Sequence, residues 1–243
     1  MPEHRTVEFS ETHKVEFEDR PAPDIDKDLG FQRLFEATKA YSMTGKDAMY
    51  AMYTAANYIL DRNIPGDFVE CGVWRGGSSL LAALILKQRS EQTRRQFLYD
   101  TFEGMPPPGI DDVDLHGNTA ADQIEQHKDA NGWCYASLEN VKEAFDEHDF
   151  EFENVYVKGD VVQTLKEHQP EQIALLRLDT DWYDSTMSEL EHLYPKLSPG
   201  GVLIIDDYGH WAGASKATDE YFATVPAPLL VRVNYSVRLA IKI

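Results

Sequence analysis

From residue 67 onward, short apolar runs alternate with helical stretches, and few folds accommodate that alternation. Phe-Val-Glu-Cys-Gly-Val at 68–73 reads as a buried strand, and 78–87 as an Ala/Leu helix. Further strands are expected at 96–100, 154–157, 173–178 and 202–205. Helices are expected between them at 138–148, at 162–168, and over a stretch where Met187, Leu190, Leu193 and Leu197 share a face. Asp184 and Ser185 are read as the cap of that last helix, and Gly200-Gly201 as the turn into the strand after it. One more helix spans 214–224. The final two runs, 229–233 and 237–241, have no helix between them and should pair antiparallel. This order predicts an α/β fold: a mostly parallel sheet with helices on both faces and an antiparallel C-terminal strand.

The remainder of the chain frames that sheet. Residues 1–28 are charged and poor in apolar side chains. Val-Glu-Phe occurs there twice, which suits a short hairpin or an arm on another subunit, but a frayed, solvated extension is preferred. Helical patterns at 29–41 and 47–62 follow and form a cap, with turn residues at 41–45 between them. Residues 29–243 are taken as one domain. Within it, the polar, proline-initiated stretch at about 105–132 is too long for an ordinary connection and reads as a lid.

The chain's 23 Lys and Arg against 42 Asp and Glu give a formal net charge of -19. That excludes a non-specific nucleic-acid binder and disfavours docking on anionic membrane. No apolar run reaches a membrane span, and the N-terminus carries no apolar signal core. Two cysteines make no disulfide framework, and a cytoplasmic setting is expected.

In open α/β sheets ligands sit beyond the carboxyl ends of the strands. The first strand runs into Glu70-Cys71-Gly72-Val73-Trp74-Arg75-Gly76-Gly77-Ser78, a glycine-bearing turn at a helix N-terminus. It matches neither the dinucleotide fingerprint nor the P-loop. Glu70 disfavours a pyrophosphate and suits a cationic ligand. The second strand ends in Asp100, placed to take ribose hydroxyls. The fourth and fifth strands end in Asp179-Thr180-Asp181 and Asp206-Asp207. Four carboxylates gathered at one edge repel one another unless protonated or bridged by a cation, and an all-oxygen set favours Mg²⁺. Helix capping accounts for Asp184 and could take Asp207, but not all four strand-end acids.

These segments, with Asp100-Thr101-Phe102-Glu103-Gly104-Met105-Pro106, Asp179-Thr180-Asp181-Trp182-Tyr183-Asp184-Ser185-Thr186 and Asp206-Asp207-Tyr208-Gly209-His210-Trp211, resemble the macrocin O-methyltransferase (TylF-like) family over residues 29–243. The resemblance implies a Rossmann-like class I methyltransferase with a seven-stranded sheet. It also implies S-adenosylmethionine as methyl donor, S-adenosylhomocysteine as product, and Mg²⁺. The substrate would be a sugar hydroxyl of a glycosylated natural product such as an antibiotic. Glu70, Gly72 and Ser78 would line the methionine end of the cofactor and Asp100 the ribose. Gly159, Asp160 and Val161 would border the adenine, and Tyr41, Met43 and Thr44 would fold over the cofactor. Asp179, Asp206 and Asp207 would hold Mg²⁺, with Asp179 also bordering the cofactor, and Asp181 would be the general base. No role is carried onto His116 or the lid.

Alternatives within and beyond this class are a catechol-type O-methyltransferase, a non-catalytic S-adenosylmethionine-binding protein and a metal-dependent hydrolase. Trp182 and Tyr183 could form a sugar-facing wall or pack beneath the site, and His210 and Trp211 could touch substrate or fix their loop. The N-terminal arm hints at a homo-oligomer.

Overall fold

A computed structural model of the chain describes residues 3–8, 14–19, 21–126 and 134–243. The last part of the expected lid, residues 127–132, lies outside the described residues. Two N-terminal strands, β1 (Glu3–Glu8) and β2 (Lys14–Asp19), pair antiparallel with Val7 opposite Val15. Val7-Glu8 and Val15-Glu16-Phe17 of the repeated alternation lie in these paired strands; Phe9 lies outside the described residues. After a single turn, α1 (Pro23–Asp26), come the cap helices α2 (Leu29–Thr38) and α3 (Lys46–Asp61). Asp28 caps α2 by accepting the Phe31 N–H.

The expected alternation then unfolds as β3 (Asp67–Cys71), α4 (Gly77–Gln88) and β4 (Gln96–Asp100). Next come α5 (Ala120–Gln126), inside the lid, and α6 (Leu138–Asp146), capped by Ser137. They lead to β5 (Asn154–Lys158), α7 (Val161–Thr164), β6 (Ile173–Leu178) and α8 (Tyr183–Leu193). The chain closes with β7 (Leu197–Ile205), α9 (Ala212–Phe222), β8 (Val231–Arg232) and β9 (Arg238–Ile241). Among the described residues, seven strands form one sheet in the order β5-β4-β3-β6-β7-β9-β8. β3 through β7 run parallel, and β9 is antiparallel to both β7 and β8.

Two local expectations are corrected. Gly200-Gly201 lies inside β7, where the pairing with β6 shifts register, rather than forming a turn before it. Asp184 sits in the first turn of α8 and does not cap it; Trp182 holds the cap position without a side-chain hydrogen bond. There the acid still opposes the positive end of the helix dipole.

Alternating side chains divide the core into two layers. Phe68, Leu98, Leu175 and Ile204 face Phe31, Met49, Leu81 and Ile85 of the cap helices and α4. Val69, Phe97, Leu176 and Leu203 face Leu165, Leu190 and Leu193 on the other side. Among the described residues, no helix is long and apolar enough to cross a membrane.

Candidate active site

The site grows from the adjacent ends of β3, β6 and β7. The pleat places Leu175 and Arg177 on the face that carries the cap helices, and Arg177 stands beside Glu70 in the ladder. A guanidinium on a buried strand requires paired carboxylates. Arg177, with a side chain only 3% exposed, has them: Nη1 donates to Glu70 Oε1 at 2.5 Å and to Asp179 Oδ2 at 2.6 Å. Its Nη2 donates to Asp206 Oδ1 at 2.8 Å and to Thr44 Oγ1 at 2.9 Å. Burial opposes the Arg177 charge, but Asp179, Asp206 and Glu70 outweigh it and push its pKa up.

Carboxylate oxygens of Asp179, Asp206 and Asp207 lie within 4.8 Å of one another. Burial raises the pKa of Asp179 against the pull of Arg177, and Asp206 and Asp207 raise it further. Burial likewise raises Asp207, with Asp181 and Asp206 adding to it. A single guanidinium cannot balance Glu70, Asp179, Asp206, Asp207 and Asp181. The donor set therefore fits a hard divalent cation.

Asp181 completes the group. It has φ +67°, a left-handed conformation uncommon outside glycine. Its N–H donates to Asp207 Oδ2 at 3.2 Å, and its carboxyl is hydrogen-bonded to Asp207 and Trp211. Burial pushes its pKa up to about 7; the bond to Asp207 opposes the rise, and Asp179 and Asp206 reinforce it. Beneath this turn Thr180 Oγ1 donates to the buried Glu189 at 2.8 Å. Trp182 and Trp211 stack edge to face with centroids 5.0 Å apart, both buried, so they pack under the site. Tyr183 points away to Glu220. His210 stands beside the exposed Tyr235 at the mouth of the cluster, and burial lowers its pKa.

The expected cofactor residues fall into two groups. Tyr41, Met43, Thr44 and Ser78 are brought together: the 41–44 segment lies against the first turn of α4, where a β-carbon on Gly77 would meet that of Ser42 at 2.5 Å. Ser78 and Ser42 both bond the Met49 sulfur, and Met43 packs with Trp74 and Ala136. At the sheet's other flank, Gly159 N–H donates to the Asp100 carbonyl, while Asp160 caps α7 through Val162 N–H beside the buried Val161.

Two of the acids are already engaged. The Glu70 carboxylate, 2% exposed, accepts from Arg177 and from the Ser79 hydroxyl. Asp100 accepts the N–H groups of Val73, Trp74 and Phe102 and, at 3.4 Å, the Thr101 hydroxyl. It thereby fixes the glycine turn.

The described residues of the expected lid are tied to the loops that carry the acidic cluster. Buried Asp112 accepts Gly109 N–H at 2.6 Å and Tyr183 N–H, the first of α8, at 2.8 Å. Trp182 Nε1 donates to the Pro106 carbonyl, and Asp114 bridges to Trp211. Arg177, Glu189 and Asp112 were not singled out from the sequence. The available signal was a lone charge in an apolar strand for Arg177 and on an apolar helix face for Glu189.

The family model described as Macrocin-O-methyltransferase (TylF) matches residues 3–231. The chain belongs to this family. The match thus extends over the N-terminal hairpin and the sheet through β7. The chain is 36% identical over 170 residues to an 8-demethyl-8-(2,3-dimethoxy-alpha-L-rhamnosyl)-tetracenomycin-C 4'-O-methyltransferase of Streptomyces olivaceus, covering 70% of this chain and 63% of that one. It is 34% identical to the demethyldecarbamoylnovobiocin O-methyltransferase of Streptomyces niveus, covering 76% and 68%. The chain thus spans about two thirds of the length of these curated relatives. The structure of the O-methyltransferase NovP superposes with a TM-score of 0.74 at 31% identity, over 84% of this chain and 82% of NovP.

Proposed function

We propose that this TylF-family chain is a Mg²⁺-dependent O-methyltransferase that methylates a sugar hydroxyl of a glycosylated natural product, using S-adenosylmethionine. The observation that carries the reading is Asp181, a raised-pKa carboxyl held in a left-handed turn against the Asp179, Asp206 and Asp207 oxygens. Relatives named for the methylation of glycosylated antibiotics support the acceptor class.

S-adenosylmethionine, when bound, would supply the methyl group, and a bound Mg²⁺ would supply Lewis acidity that lowers the pKa of the acceptor hydroxyl. Asp179, Asp206 and Asp207 would hold the cation, and Arg177 keeps two of those carboxylates in place. The Asp181 carboxylate accepts the hydroxyl proton. Burial, the largest cause of its raised pKa, makes it a better base than an ordinary carboxylate near ~4. The turn around Gly72, the first turn of α4 with Ser78, and the segment from Tyr41 to Thr44 would cradle the methionine part. Asp100 would take a ribose hydroxyl in place of its long contact from Thr101, whose hydroxyl also reaches the Gly104 carbonyl, and Gly159, Asp160 and Val161 would border the adenine. Glu70, held by Arg177, would border the methionine end of the cofactor.

Calorimetric titration of S-adenosylhomocysteine, with Mg²⁺ and with excess chelator, tests the cofactor half of this reading. Micromolar binding is expected. No binding in either condition would refute it.

A further inference from the structure

Arg177 connects two parts of the site that are distant in sequence. Each terminal nitrogen of a guanidinium carries two N–H groups. Nη1 divides its pair between Glu70, at 2.5 Å, and Asp179, at 2.6 Å. Nη2 divides its pair between Thr44, at 2.9 Å, and Asp206, at 2.8 Å. Both nitrogens thus reach one partner on the cradle side, in β3 or the segment after α2, and one partner among the carboxylates after β6 and β7. The fork is planar and rigid, so neither pair of contacts moves without the other. At 3% exposure, water does not substitute for a lost partner.

We propose that Arg177 couples the cofactor cradle to the metal-ligand carboxylates, so that each ligand raises the affinity of the other. The inference rests on the cation and cofactor sites proposed above. A divalent cation on Asp179 and Asp206 draws carboxylate charge toward itself and repels the guanidinium toward Glu70 and Thr44. That strengthens the bond holding Thr44, and with it the 41–44 segment, against α4. Closure of that segment on a cofactor conversely fixes Nη2, and Nη2 aims the Asp206 oxygen. Linkage makes the two effects equal in binding free energy.

The test uses the full chain, with Mn²⁺ as the probe cation and S-adenosylhomocysteine as the cofactor probe. Free Mn²⁺ is followed by electron paramagnetic resonance with and without saturating S-adenosylhomocysteine, and the reciprocal titration is done by calorimetry. In the wild type each ligand should tighten the other on the order of fivefold or more. Thr44→Val keeps the side-chain shape without the hydroxyl; whatever its affinity for either ligand alone, the ratio of affinities with and without the other ligand should fall close to onefold. Thr44→Ser should restore it. Equal Mn²⁺ affinities with and without S-adenosylhomocysteine in the wild type, or undiminished coupling in Thr44→Val, would overturn the inference and leave the two sites standing. Absence of Mn²⁺ binding in both states would instead remove the metal site itself, and the coupling with it.

Discussion

A β-carbon on Gly72 would lie 1.8 Å from the carbonyl oxygen of Asp179. Gly72 has φ +83°, and Asp179 N–H donates to the neighbouring Cys71 carbonyl at 2.8 Å. The turn after β3 and Asp179, the first of the proposed metal ligands after β6, therefore touch backbone to backbone. The close approach that this glycine permits is to Asp179 as much as to any ligand. Gly72→Ala adds a clash that the main chain must absorb, in a conformation unfavourable for alanine. The expected cost is about 3 kcal/mol or more, read as a fall in denaturation midpoint, with weakened Mn²⁺ binding. A variant of wild-type stability would show that the turn is looser than described.

Asp181→Asn removes the proton acceptor and leaves the three carboxylates after β6 and β7 unchanged. Turnover should fall by about 10²–10⁴, while S-adenosylhomocysteine affinity stays near wild type. Unchanged turnover would remove Asp181 from the mechanism.

The acid cluster makes the effect of the metal on stability depend on pH. Burial raises the Asp179 and Asp207 pKa values, and that of Asp181 to about 7, above the ordinary carboxylate value. A carboxyl with a raised folded-state pKa contributes stability that is fully present below its unfolded pKa and is lost as pH rises through the folded pKa. Without metal, the Asp181 contribution is lost as pH rises from roughly 4 through about 7, and those of Asp179 and Asp207 are lost as pH rises through their own raised values. A cation competes with those protons. Mg²⁺ should therefore raise the melting temperature more at pH 8 than at pH 5.5, as measured by scanning calorimetry. An equal or reversed difference would place the cation elsewhere.

Asp112 ties the lid to the start of α8, two residues beyond Asp181. A β-carbon on Gly213, in α9, would come 2.0 Å from its Oδ1, so the carboxylate fits between the two helices that follow the metal loops. Asp112→Ala forfeits two hydrogen bonds to a carboxylate, each worth about 1.5–3 kcal/mol. The expected outcome is a raised acceptor KM and faster proteolysis within the lid, with S-adenosylhomocysteine affinity unchanged. Wild-type KM and proteolysis would assign Asp112 a passive role.

Local pattern made the sheet legible. Five apolar runs alternate with helical ones, and the absence of a helix between the last two runs identified the antiparallel pair now seen as β8 and β9. Asp179, Asp181, Asp206 and Asp207 were legible because strand ends converge whatever the details of packing. Arg177 was not, since its partners Thr44 and Glu70 lie 133 and 107 residues away in sequence and periodicity carries no information about them. The engagement of Glu70 and Asp100 within the protein was hidden for the same reason: a strand-end acid looks alike whether it faces a ligand or a backbone N–H. The hairpin at the N-terminus was outweighed in composition by its charge.

The measurement closest to the central claim is methyl transfer from S-adenosylmethionine to a panel of deoxysugar glycosides and simple catechols, with Mg²⁺ and with excess chelator. The product is read by mass and the methylated position by nuclear magnetic resonance. A single methyl on a sugar hydroxyl, formed with Mg²⁺ and abolished by chelator, is the result this account predicts. Methylation of catechols alone, or transfer to the glycoside that is indifferent to chelator, would contradict it.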